Sequence, residues 1–287
     1  MRFGAFWGDS TKVVIELGVK MKKYPYYEVS AFTTEGSSGP FSGNPAGVVL
    51  LDNWLPETTM QRVAEQNNLA ETAFLVPEGA GYRIRWFTPT SEIDLCGHAT
   101  LGSAFALMNG NHERYREHPI NFEYAGGTLK VSSLGDLLSM DFPLITGERI
   151  SDVAQFERTL GIKVDEAYLG RDLALILPSE EDVRAFNPLN PAIMGLPGLG
   201  CIVTARSSNY DFVSRAFFPE MGIIEDPVTG SAHCFLAWIW GNKLSKTSFH
   251  AHQASPRGGE LWLQVKGDRV LLQGRAWEYL RGEIVIP

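Results

Sequence analysis

Asp94-Leu-Cys-Gly-His-Ala-Thr100 and, much later, Glu225-Asp-Pro-Val-Thr-Gly-Ser-Ala-His233 are the two stretches whose reading decides the fold. Each sets small and polar residues before an apolar run, Leu101 to Met108 and Cys234 to Trp240, which is how a helix begins. Each run stops at an Asn/Gly pair, Asn109-Gly110 and Gly241-Asn242, where the helices are expected to end. Neither run carries a charged face, and a helix apolar all round must be buried all round. At roughly 10 to 12 residues each is too short for a bilayer, which needs ~20, so other protein must enclose it. Strands curled around a central helix would do so.

The echo extends outward. Arg85-Trp-Phe-Thr-Pro89 and Arg215-Ala-Phe-Phe-Pro219 precede the two helices, and Gly126-Gly-Thr-Leu129 with Gly135-Asp136 aligns without a gap on Gly258-Gly-Glu-Leu261 with Gly267-Asp268, an offset of 132 residues. Landmarks recurring in one order at nearly one spacing imply an internal duplication. The expected fold is therefore α+β, with two pseudo-symmetric domains, each a curled, mostly antiparallel, barrel-like sheet around a central apolar helix. The boundaries read as an extension over 1–23, a first domain over 24–135 plus 276–287, and a second over 136–275.

Along the chain, strands are expected at Gly47 to Leu51, Leu69 to Val76, Tyr82 to Phe87, Asn121 to Val131 and Leu137 to Phe142, with a helix from Pro56 to Asn68. The second half repeats the order. A helix over Ser151 to Leu160 is followed by strands Glu166 to Leu169 and Leu173 to Leu177, a helix and loop over Glu180 to Asn190, and strands Ile202 to Ala205 and Phe212 to Phe217. Gly274 to Pro287 reads as a last segment that crosses back to the first domain.

With 287 residues, 44% of them hydrophobic and 20% charged, the chain has room for two cores. A net charge of -8 without a Lys/Arg-rich run argues against nucleic acid or an anionic membrane and for a small-molecule partner. Three cysteines, Cys96, Cys201 and Cys234, cannot all pair, and Asp9, Lys12 and Glu16 interrupt what would be the apolar core of a leader. A cytoplasmic protein is expected.

Two helix starts present free N-H groups and partial positive charge, so Gly97-His98 and Gly230-Ser231 could each hold a carboxylate or phosphate. The plainer alternative is that the glycines permit tight turns and that His98 and Ser231 cap helices. Glu71, between Ala70 and Thr72, reads either as a proton-transfer group raised by an apolar setting or as a strand-edge carboxylate. Asp226 reads as a site residue or as a helix cap. Cys96, His98, His233 and Cys234 lack a zinc-ligand spacing, so no metal is expected, and His250 and His252 read as surface residues. No nucleotide fingerprint is present, and no cofactor is expected.

Phe41-Ser-Gly-Asn-Pro-Ala-Gly-Val48, Asn68-Leu-Ala-Glu-Thr-Ala-Phe74, the two helix-start stretches and Gly274-Arg-Ala to Gly282-Glu-Ile284 together resemble the PhzF-like phenazine-biosynthesis family, built on the diaminopimelate epimerase fold. The resemblance covers the chain from about Tyr26 to its end. It implies a cleft between two domains, a homodimer and a small carboxylated substrate. It puts the family's catalytic glutamate on Glu71, its Gly-His turn on Gly97 and His98, its aspartate on Asp226 and its helix-start serine on Ser231. Asn44, within the first motif, joins Gly97 and Gly230 as a substrate-binding position.

The implied activity is cofactor-independent isomerisation, in which one carboxylate moves a proton between carbons of a substrate such as 2,3-dihydro-3-hydroxyanthranilate. Two alternatives stand beside it. One is amino-acid epimerisation or racemisation by two thiols, to which Cys96 fits but the second turn contributes no cysteine. The other is a non-catalytic binding protein on the same fold.

Overall fold

The computed structural model describes residues 21–36, 39–110 and 118–287. The leader argument on Asp9, Lys12 and Glu16 and most of the expected extension lie outside them. Seventeen strands join in one hydrogen-bonded network, with five α-helices among the described residues.

Eight strands close into a barrel. They are β1 (Lys22–Thr33), β2 (Asn44–Leu50), β3 (Glu71–Glu78), β4 (Gly81–Phe87), β6 (Ile120–Tyr124), β7 (Gly127–Leu134), β8 (Leu137–Pro143) and β17 (Arg269–Ile286). Each pairs with the next in that order, and β17 returns to β1 through Lys22↔Ile286 to Thr33↔Arg275. The pairings β2–β3 and β4–β6 are parallel and the rest antiparallel. β5 (Glu92–Ile93) lies outside the ring against β4.

The same grammar recurs downstream. β9 (Glu148–Ile150), β10 (Glu166–Leu169), β11 (Leu173–Ile176), β12 (Cys201–Arg206), β13 (Phe212–Phe218), β15 (Ser248–Gln253), β16 (Gly259–Lys266) and β17 pair in sequence, with β11–β12 and β13–β15 parallel. β14 (Ile223–Asp226) flanks β13 as β5 flanks β4. β17 serves both sets, pairing through Arg269–Gln273 with β16 of the second and through Arg269–Gly274 with β8 and Arg275–Ile286 with β1 of the first. The final segment pairs with β1 as the continuation of one strand rather than as a separate segment. The expected boundary between 275 and 276 falls inside it.

α2 (Gly97–Gly110) and α5 (Gly230–Leu244) are the two apolar helices, and they approach each other directly. In α5, His233 to Ala237 and Ile239 to Trp240 are buried, as an all-round apolar helix requires. One core cluster surrounds both helices and draws on both halves of the chain, from Val29 and Trp86 to Phe235 and Leu272. Smaller clusters sit under α1 (Glu57–Asn67) and under α3 (Ala154–Leu160) with α4 (Glu180–Ala185).

Local expectations needed correction in four places. The first helix ends at its Asn/Gly pair, at Gly110, whereas α5 runs over Gly241-Asn242 and ends only where Ser245 turns left-handed (φ 51°). Packing overrides the roughly 1 kcal/mol that a mid-helix glycine costs. Asn121 to Val131 is a hairpin, because Gly127 takes φ 135° and a Cβ on Gly126 would meet the Tyr124 ring at 2.6 Å. The helix expected from Ser151 starts at Ala154. The strand expected from Leu69 starts at Glu71.

Phe235 is fully buried on α5, so Phe235→Ala should lower unfolding free energy by about 3 to 5 kcal/mol in urea titrations. A loss within about 0.5 kcal/mol, the range of an ordinary surface substitution, would contradict its place in the core.

Candidate active site

α1 ends at Asn68, whose left-handed conformation (φ 50°) turns the chain, and Asn67 Nδ2 donates to Thr72 Oγ1 at 3.0 Å. The start of β3 is thereby fixed against that turn, and its first residue is Glu71. Parallel pairing sets Glu71 opposite Ala46 on β2. Only 7% of Glu71 is exposed, so the strand-edge reading does not hold.

His98 is the second residue of α2 and is equally enclosed. Its Nε2 lies 2.9 Å from Glu71 Oε2, but the approach lacks hydrogen-bond alignment. The pair is an ionic contact, and Oε2 has no hydrogen-bond partner among the described residues.

Asn44, fully buried at the start of β2, ties this pair to the other half of the chain. Its Nδ2 stands 3.2 Å from His98 Nδ1 and donates to Asp226 Oδ1 at 2.7 Å and to Val228 O at 3.0 Å. With the amide turned round, its oxygen would face a carboxylate and a carbonyl, which fixes the orientation. Asp226 and Val228 take both amide hydrogens, so the approach to His98 Nδ1 is a close polar contact rather than a donated bond.

Thr229 Oγ1 donates to Asp226 Oδ2 at 2.5 Å. Gln253 accepts from the Thr229 N-H at 2.8 Å and donates to Asp226 O at 2.8 Å. Arg257 Nε donates to Gly43 O at 2.8 Å, and the Gly43 N-H donates to Gly258 O at 2.7 Å, which clasps the turn before Asn44. Sequence reasoning assigned none of Thr229, Gln253 and Arg257 a role. Thr229 sat within a quoted motif, whereas the other two are distant in sequence from what they hold.

Burial alone would push the His98 pKa down, but Cys96 and Glu71 together raise it well above the ordinary imidazole value. Burial first, then Glu71, pushes the Cys96 thiol up to about 11, so it is neutral near pH 7 and Glu71 is the effective charge on His98. Desolvation lifts Asp226 to about 6, with Glu71 adding to the rise and His98 opposing it.

Glu71, Cys96 and His98 bring donor atoms within 4.8 Å of one another, the grouping among the described residues that could hold a metal ion. Cys96 Sγ lies 3.5 Å from His98 Nδ1. A thiol at about 11 makes this a weak donor set, since the thiolate is the ligand form.

The remaining expected residues sit at the two helix starts. Neither Gly97 nor Gly230 has a positive φ, and a Cβ on either would come to an ordinary 3.4 Å from Phe142 or Leu272. Tight turning is therefore not why glycine stands there. What it does is bare the first-turn N-H groups. Ser231 makes no bond to the cluster, and its Oγ accepts from Arg171 Nη2 at 2.8 Å.

His250 and His252 are half-buried rather than surface residues. His250 stacks on Trp262 and His252 on Tyr210. A cavity of about 600 Å3, lined by Thr34, Phe105, Met108 and Trp277 among others, contains none of the cluster.

Residues 29–282 match the family of phenazine biosynthesis-like proteins, PhzC-PhzF. An uncharacterized isomerase of Pseudomonas aeruginosa is 45% identical over 262 residues, covering 90% of this chain and 97% of its own. The crystal structure of a PhzF-family phenazine biosynthesis protein from Enterococcus faecalis superposes with a TM-score of 0.86 at 48% identity, covering 92% of this chain and 99% of that one. A hydroxyproline epimerase from Agrobacterium vitis, 12% identical with a TM-score of 0.59 and covering 93% of this chain and 92% of its own, shares the fold. The protein is an enzyme of the isomerase class. It belongs to the PhzC-PhzF phenazine biosynthesis-like family. Among the described residues, no helix is long and apolar enough to cross a membrane.

An acid whose pKa rises on folding stabilises the native state below its ordinary value, here 3.8, and loses that contribution as pH climbs through its folded value of about 6. In urea titrations Asp226→Asn should flatten the fall of unfolding free energy across that window. An unchanged slope would contradict the assignment.

Proposed function

We propose that this isomerase is cofactor-independent and moves a proton between carbons of a small carboxylated substrate, in a cleft between two domains that correspond to the two repeats. The observation that carries the reading is Glu71, a buried carboxylate with one oxygen unbonded, at the seam where Asn44 joins the halves. A lone carboxylate facing a protonated imidazole nitrogen is suited to act first as base and then as acid. His98, Asn44 and Asp226 hold the substrate's polar groups, while the first-turn N-H groups behind Gly97 and Gly230 take its carboxylate, with Ser231 beside them. A conjugated ring acid similar to 2,3-dihydro-3-hydroxyanthranilate suits this arrangement.

Epimerisation by paired thiols has less support. Cys96 is held up at about 11, and Cys234 lies inside α5, buried and pushed to about 12. Three buried, unpaired cysteines favour the reducing cytoplasm. A homodimer is supported by Trp277, Tyr279, Leu280 and Val285, exposed in a row along β17. Light scattering should give twice 31.7 kDa, and a single-chain mass would contradict the dimer.

In heavy water with metabolite extracts, Glu71→Gln should lower protein-dependent deuterium incorporation by about a hundredfold or more while leaving the circular dichroism unchanged. Cys96→Ala should keep its exchange. Exchange retained in Glu71→Gln removes the carboxylate from the mechanism, and exchange lost in Cys96→Ala restores the thiol route.

A further inference from the structure

Arg171 stands in the turn between β10 and β11, and three contacts seat it. The Gly170 N-H donates to Asp172 O at 3.1 Å, and the Leu199 N-H donates to Arg171 O at 2.9 Å. A Cβ on Gly170 would come to 2.8 Å from Thr146 O and 3.2 Å from the Phe235 ring, so the backbone packs directly against α5. The side chain is nonetheless 41% exposed.

Its nitrogens divide their work. Nε and Nη2 lie 3.3 and 3.2 Å from Asp172 Oδ2, and Asp172 is completely buried. Nη2 also donates to Ser231 Oγ at 2.8 Å. Neutralising Asp172 accounts for one edge of the guanidinium. It does not account for the reach to Ser231, nor for Nη1, which has no acceptor among the described residues.

Ser231 lies in the first turn of α5, two residues after Thr229, whose hydroxyl holds Asp226. The catalytic cluster itself carries two carboxyl groups, Glu71 and Asp226, which repel an anionic substrate. Nη1 is the guanidinium nitrogen left over beside that helix start, and its N-H groups can donate to a carboxylate oxygen.

We propose that Arg171 is the specificity-determining residue for the substrate's carboxylate, binding it through Nη1 next to Ser231 while Asp172 holds the guanidinium in place. This rests on the proton-transfer reading only for the identity of the site.

The test is calorimetric titration with anthranilate and with its uncharged amide as paired probes. Wild type should prefer the carboxylate by about tenfold or more, the scale of one charge-assisted contact. Because Arg171→Gln alone strands the buried Asp172, R171Q/D172N is measured beside it, and that double variant should bind both probes alike. R171K should keep part of the preference. A double variant that retains the wild-type preference, or a wild type without one, overturns the proposal. Glu71→Gln separates the two claims, since it should stop exchange while keeping the carboxylate preference. Exchange surviving in Glu71→Gln with the preference intact would remove the proton-transfer reading and leave Arg171 standing.

Discussion

The Asn44 side-chain amide is the interaction on which the site depends. It belongs to the first repeat, yet its nitrogen serves His98 of that repeat and both Asp226 and Val228 of the second. Two acceptors, Asp226 Oδ1 and Val228 O, take both hydrogens of this fully buried amide, and an unmade hydrogen bond there costs about 1 to 3 kcal/mol. The seam between the halves is therefore polar and specific, whereas the core on either side of it is apolar and continuous.

That seam also sets the charge state of the chemistry. The Glu71 carboxylate beside Nε2 favours a proton on the nitrogen that faces it. The 2.9 Å contact pairs Glu71 Oε2 with His98 Nε2. Asp226 sits on the far side, lifted by desolvation, where Thr229 and Asn44 occupy its two oxygens.

Much of this was legible in the chain. The 132-residue echo anticipated a strand grammar that repeats pair for pair, and the uncharged faces of the two helix runs anticipated their enclosure. Glu71, His98, Asp226 and Asn44, which the family resemblance singled out, lie in contact with one another. The burial of Glu71 was not legible from spacing, because it arises from the parallel β2–β3 pairing between segments separated by α1. Nor were Gln253, Arg257 and Arg171, whose bonds to Thr229, Gly43 and Ser231 span 24, 214 and 60 residues. The end at Asn109-Gly110 was legible, whereas the one at Gly241-Asn242 was not: such a pair stops an isolated helix, but packing carried α5 through it.

The central claim is that the Glu71 carboxylate governs the proton on His98 across this seam. Nitrogen-15 NMR titration of His98 in wild type and in Glu71→Gln tests it most directly. The account predicts a wild-type pKa well above the ordinary imidazole value of 6.5 and a clear drop once the carboxylate is replaced. A His98 that titrates at the same pH in both proteins would contradict it.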